Sequence, residues 1–150
     1  MITSSKRILI CGLPGAGKTF LAERLLAQLG NASWFNADAI RKEFDDWDFS
    51  DDGRKRQMTR MKNLTSTAIA DGKYAIADFV CPTNSLRKEF DADYIIWMNT
   101  ITEGRFEDTN KVFENPDPGS VDIEITSTEW WNEGDADKWA VTIKNNLNKD

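Results

Sequence analysis

Gly12-Leu13-Pro14-Gly15-Ala16-Gly17-Lys18-Thr19 is a complete G-x-x-x-x-G-K-[ST] run. Its flanks turn the string into a structural setting. Lys6-Arg7-Ile8-Leu9-Ile10-Cys11 ahead of it is a short apolar stretch of strand type. Residues 20–29 behind it carry apolar side chains at helical spacing, with Gly30 as a stop. Strand, glycine-rich loop and helix in this order describe a phosphate-binding loop. Its glycines let backbone N–H groups turn inward, and the helix N-terminus adds partial positive charge. Gly12, Gly15, Ala16, Gly17, Lys18, Thr19 and Phe20 are therefore the expected ATP-binding set. Lys18 is expected to reach the β- and γ-phosphates, and the Thr19 hydroxyl to hold Mg²⁺.

Outward from this motif, strand and helix patterns alternate. Strands are expected at 7–11, 33–36, 74–80, 94–98 and 121–126. Helices are expected at 18–29, 37–44, 54–71, 83–90, 102–113 and 135–147. An acidic loop over 45–53 separates the second and third helices. Such alternation predicts a three-layer α/β fold of the P-loop NTPase type, with a central parallel sheet of about five strands. The last strand alternates in polarity and reads as an edge. The 150 residues are read as a single domain, with a lid at roughly 102–118. Trp34, Trp97 and Trp139 read as core, whereas Trp47 and Phe49 lie in a polar loop and have a better claim to binding.

The net charge of −6 argues against a protein that coats long nucleic acid. It leaves room for a small anionic acceptor in a local basic pocket. The apolar runs are too short for a membrane span and no export signal is visible, so a cytoplasmic protein is expected. In that setting Cys11 and Cys81 are expected to be reduced, buried thiols. The chain has no histidine. Acid–base work then falls to carboxylates, and zinc sites of the Cys/His type are excluded.

Four groups beyond the phosphate loop could carry chemistry. Asn36-Ala37-Asp38-Ala39-Ile40-Arg41 lies where strand 2 meets a helix, at the edge where parallel sheets bind ligands. Asp38 and Arg41, three apart, could orient an acceptor hydroxyl and hold an anionic acceptor. Alternatively, Asp38 caps the helix with Arg41 as its surface partner. Asp78, near the end of a buried strand, either supports Mg²⁺ through water or caps the next helix. Arg54, Lys55, Arg56, Arg60 and Lys62 form a basic face that is either solvated or turned in part toward an acceptor, with Phe49-Ser50 just before it. In the lid, Arg105 or Lys111 could bring a cation to the transferring phosphoryl group.

With these segments assembled, the chain resembles the adenylylsulfate (APS) kinases over nearly its whole length. Residues 12–19 look like their phosphate loop, and Asn36–Arg41 like their Asp-Gly-Asp-Asn-x-Arg segment, keeping the second Asp and the Arg. Phe49-Ser50 followed by Arg54 matches their Phe-Ser-x-x-x-Arg stretch. Val80-Cys81-Pro82 resembles their Ile-Ser-Pro, and Asn99-Thr100 their Asp-Thr. The resemblance implies transfer of phosphate from MgATP to the 3′-hydroxyl of APS, with Asp38, Arg41, Phe49 and Arg54 at the acceptor. Phe113-Glu114-Asn115-Pro116-Asp117-Pro118 runs almost directly into the last strand, so the lid is shorter than the family's. A 5′-hydroxyl polynucleotide or nucleoside kinase, and a nucleotide-binding protein without transferase activity, are the alternatives. A homodimer stays open.

Overall fold

The alternation of β1 (Arg7–Cys11) decides how the layers form. Ile8 and Ile10 point to one face of the sheet, Leu9 and Cys11 to the other, and all four are fully buried. The computed structural model describes residues 5–149. Beside β1 lie β2 (Ala32–Asn36), β3 (Tyr74–Asp78), β4 (Tyr94–Asn99) and β5 (Ile123–Thr126). Their order is β2-β3-β1-β4-β5 and every pairing is parallel. The expected edge position of β5 is found, and β2 forms the opposite edge.

On the Ile8/Ile10 face pack α1 (Lys18–Leu29) and α6 (Asp135–Leu147), burying Leu21, Leu25, Ala140, Ile143 and Leu147 against Ile76, Ile96 and Ile125. On the Leu9/Cys11 face pack α2 (Ala37–Phe44), α3 (Asp51–Ala70) and α4 (Asn84–Phe90), through Ile40, Met58, Met61 and Phe90. A short α5 (Glu107–Val112) lies between β4 and β5. A five-stranded parallel sheet with six helices and the phosphate loop after β1 is a P-loop NTPase fold. Among the described residues, no helix is long and apolar enough to cross a membrane.

Several expected boundaries shift for local reasons. Helix α3 begins at Asp51, three residues early, because the Ser50 hydroxyl accepts the Gly53 N–H and Asp51 and Asp52 suit a helix N-terminus. Strand β3 stops at Asp78 instead of continuing to 80, since the chain turns through Cys81 at φ 44°. The expected helix over 102–113 shrinks to α5. Ahead of it the Gly104 amide and carbonyl both bond the Asn110 side chain, at 2.8 and 3.0 Å, instead of helical partners.

Candidate functional site

All five strands point the same way, so their C-terminal ends deliver their loops to one edge of the sheet. There the phosphate loop, the start of α2, the loop before α3, the end of β3 and residues 105–109 enclose a cavity of about 870 Å³.

The phosphate loop is shaped by close approaches. At Gly12 (φ 152°) a Cβ would sit 2.8 Å from the Met98 carbonyl oxygen. At Gly17 (φ 98°), which caps α1, a Cβ would sit 2.5 Å from Trp130 Nε1. The Thr100 hydroxyl donates to the Ala16 carbonyl at 2.7 Å and ties the loop to the end of β4. Lys18 is buried, and its Nζ donates to the Gly12 and Leu13 carbonyls at 3.0 Å each. Burial lowers its ammonium from the ordinary lysine value, and the nearby Asp78 carboxylate opposes that.

Asp78 ends β3 directly beside Asn36, which ends β2. Its Oδ2 accepts from Trp34 Nε1 and Asn36 Nδ2, each at 3.0 Å, and from the Thr19 hydroxyl at 3.3 Å. Burial pushes this carboxyl above the ordinary carboxylate range, and the bonds from Asn36 and Trp34 pull it back. Asp78 bonds Thr19 and caps no helix; the Thr83 hydroxyl caps α4. Among the described residues no group of three or more His, Cys, Asp or Glu could cage a metal ion. Mg²⁺ keeps much of its water and binds through one or two protein oxygens plus phosphates. The Thr19 hydroxyl and the Asp78 carboxylate, side by side on the cavity wall, are oxygen donors of the right kind.

The first turns of α2 separate Asp38 from Arg41. The side-chain oxygen of Asn36, not Asp38, caps α2 by accepting the Ala39 N–H at 3.0 Å. Asp38 is exposed in the first turn and lines the cavity. Arg41 is 4% exposed and is not among the described lining residues. Its Nη1 donates to the Asp46 and Asp48 carbonyls at 3.0 and 3.1 Å, and its guanidinium lies 4.2 Å from the Phe49 ring centre. It therefore braces the 45–50 loop and is neither the surface partner of Asp38 nor a visible cavity group. Arg54 does line the cavity, with Nε donating to the Phe49 carbonyl at 2.9 Å and Nη2 to the Thr109 hydroxyl at 3.1 Å.

The rest of the basic face is largely neutralised. Arg56 pairs with Asp46 and Asp48, Arg60 with Asp46, and Lys55 with Glu89. Of the two cations expected in a lid, Arg105 lines the cavity, whereas Lys111 stands exposed on α5 and is not among the lining residues. Trp47 and Phe49 both line the cavity, as does Phe20. Cys11 and Cys81 are free and buried, and burial pushes the Cys11 thiol up to about 11.

Three contributors escape sequence reading. Trp130 over Gly17 and the lining Phe106 come from segments far along the chain with no local signal. Trp34 on Asp78 had one: it lies two residues before Asn36, on the same face of an edge strand.

No curated protein matches the sequence at a significant level. In three dimensions the chain is similar to the Mycobacterium tuberculosis APS kinase in complex with AMPPNP and APS, at 16% identity and TM-score 0.75, covering 97% of this chain and 98% of that one. It is similar to a sugar kinase from Janibacter sp. HTCC2649 at 14% identity and TM-score 0.74, covering 94% and 95%. It is also similar to the Acinetobacter baumannii shikimate kinase in complex with shikimate, at 22% identity and TM-score 0.58, covering 95% and 92%. At such identities the likeness is one of fold. The family described as an AAA domain matches residues 8–93, more than half of the chain, a span holding the phosphate loop, Asp38, Arg54 and Asp78: the chain belongs to that AAA domain family.

Proposed function

We propose that this protein is a phosphotransferase that moves the γ-phosphoryl group of ATP to the hydroxyl of a small anionic acceptor, with adenylyl sulfate as the first candidate. One observation carries the reading. A single cavity is lined by Lys18, Thr19 and Asp78 and also by Asp38, Phe49 and Arg54. Donor phosphates and acceptor hydroxyl can thus meet inside one enclosure, with residues 102–118 as the lid.

In this reading the loop amides from Gly12 to Thr19 cradle the phosphates. Lys18 leaves the Gly12 and Leu13 carbonyls to meet the β- and γ-oxygens. Thr19 and Asp78 would hold Mg²⁺, which would supply charge neutralisation when bound. Asp38 accepts the proton of the acceptor hydroxyl as its oxygen forms the new bond to γ-phosphorus. The bridging O–P bond breaks, and ADP leaves with the electron pair. Arg54 holds an anionic group of the acceptor, and the faces of Phe49 and Trp47 take a planar part of it. Arg105 and Phe106 close over the transferring group and exclude water.

The position of Arg41 favours a second reading. With Arg41 committed to the 45–50 loop, the acceptor end keeps Arg54 as its buried cation. That suits an acceptor that presents less charge to the cavity, such as a nucleoside. Radiolabelled ATP with a panel of APS, nucleosides and 5′-hydroxyl oligonucleotides tests both. Label in APS supports the first reading, and label only in nucleoside or oligonucleotide selects the second. ATP binding with transfer to none of the panel points to a nucleotide-binding protein without transferase activity.

A further inference from the structure

The indole of Trp34 has a partner that its packing does not require. Trp34 and Asn36 are two residues apart on β2, so their side chains share the sheet face that carries Ile76 and Asp78 on the neighbouring strand. That face also receives α1, which brings Thr19. Trp34 packs half-buried at the border of the core on this face, as its apolar rings require. Its Nε1, however, donates at 3.0 Å to Oδ2 of Asp78, a carboxylate 2% exposed.

Three donors converge on this one oxygen: Trp34 Nε1, Asn36 Nδ2 and the Thr19 hydroxyl. Among the described residues no hydrogen bond reaches Oδ1. The Asn36 amide cannot flip, because its own oxygen is held by the Ala39 N–H. The Thr19 proton is spent on Asp78 and one hydroxyl lone pair accepts from Asn36 Nδ2 at 3.2 Å, so the remaining lone pair is what Thr19 can offer to a cation. We propose that Trp34 is a positioning residue for the metal–phosphate end of the cavity: its N–H fixes the Asp78 carboxylate so that Oδ2 is saturated by the protein and Oδ1 stays free for the water shell of a nucleotide-bound divalent cation. This rests on the reading of Thr19 and Asp78 as the cation's protein oxygens. Without the indole N–H the carboxylate loses one of its three restraints. It can then turn toward the Lys18 ammonium, pairing the charge meant for phosphate with Asp78 instead.

Trp34→Phe removes the donor and keeps an aromatic ring. ADP binding is measured by calorimetry in Mg²⁺ and in EDTA, for the wild type, Trp34→Phe, Asp78→Asn and the double variant, each checked by thermal melt. Trp34→Met serves as a second donor-free variant should Phe pack poorly. The expected result is unchanged ADP affinity in EDTA and a loss of the Mg²⁺-dependent gain on the order of 10-fold or more, the usual range for groups that orient a metal's ligands. In the Asp78→Asn background, Trp34→Phe is expected to add nothing. A full Mg²⁺ gain in both donor-free variants, or a further loss in the double variant, overturns the proposal. A wild type with no Mg²⁺ gain overturns the reading of Thr19 and Asp78 and takes this proposal with it.

Discussion

Trp130, on the loop that enters α6, lies directly over Gly17 of the phosphate loop, so near that a single methyl at position 17 would meet Nε1 at 2.5 Å and two ring carbons at 2.8 Å. Two segments more than a hundred residues apart thus set one backbone angle. Trp130 is 5% exposed, packed within the core and met edge-on by Phe20, so it cannot swing aside cheaply.

Gly17→Ala is accordingly expected to cost stability and nucleotide binding together. The left-handed φ of 98° already penalises any side chain, by about 1–3 kcal/mol. The clash with Trp130 adds to that and shifts the loop amides that would face phosphate. Thermal melts and ADP calorimetry on one preparation check both effects. A variant as stable as the wild type with intact ADP binding would show that the indole yields.

Arg41 and Arg54 are expected to fail differently. Arg41→Ala removes two bonds to loop carbonyls and the stacking under Phe49, so it should lower stability by about 2 kcal/mol and loosen the 45–50 loop. Arg54→Ala should chiefly raise the acceptor KM, by roughly 10- to 150-fold for one charge-assisted contact, and leave the KM of ATP nearly unchanged. Melting curves and steady-state kinetics on the pair separate the roles. A selective rise of acceptor KM in Arg41→Ala without a stability loss would return Arg41 to the acceptor.

These arginines also mark how far the sequence can be read. Helices α1, α2 and α6 and strand β1 were legible to the residue, because their periodicity and stop signals are local. The phosphate loop was legible because strand, glycines and helix follow without interruption. Asp38 and Arg41 sit three apart on one helix and looked like partners. Yet the chain folds back through 45–50 and its carbonyls capture Arg41, a contact that no spacing encodes. The helix expected over 102–113 was overextended for a similar reason. Gly104 packs beneath Pro14 of the phosphate loop, where a Cβ would come within 3.0 Å of the Pro14 carbonyl oxygen. That tertiary contact overrides helical propensity in residues 102–106.

Acid is expected to release the 45–50 loop from α3. Arg56 and Arg60 hold the Asp46 carboxyl far below its ordinary value, and bonds from Ser50 and Arg56 hold Asp48 down to about 2. Both pKa values are lower in the folded state than in the unfolded chain. Their stabilising effect is therefore fully present above the ordinary Asp value, about 3.9, and is lost as pH falls toward 2. Carboxyl chemical shifts recorded from pH 6 to pH 2 should show both groups titrating well below the ordinary Asp value. Midpoints near 4 for both would mean that the ion pairs do not form in solution.

Asp38 is the residue on which the phosphotransferase reading can be tested without disturbing the fold. It stands exposed in the first turn of α2 and lines the cavity, while the cap of that helix belongs to Asn36. Asp38→Asn therefore leaves the cap intact. It forfeits only the attraction between a carboxylate and the helix N-terminus, about 0.3–1 kcal/mol. An amide cannot accept the acceptor's proton, so turnover should fall by roughly 10²- to 10⁴-fold, the usual range for a lost general base. ATP affinity should hold, because the phosphate loop, Thr19 and Asp78 are untouched. Single-turnover transfer of labelled phosphate, ATP calorimetry and a thermal melt on the same variant separate the three effects. Turnover equal to the wild type would remove Asp38 from the chemistry. A large loss of ATP affinity would instead place it on the donor side of the cavity.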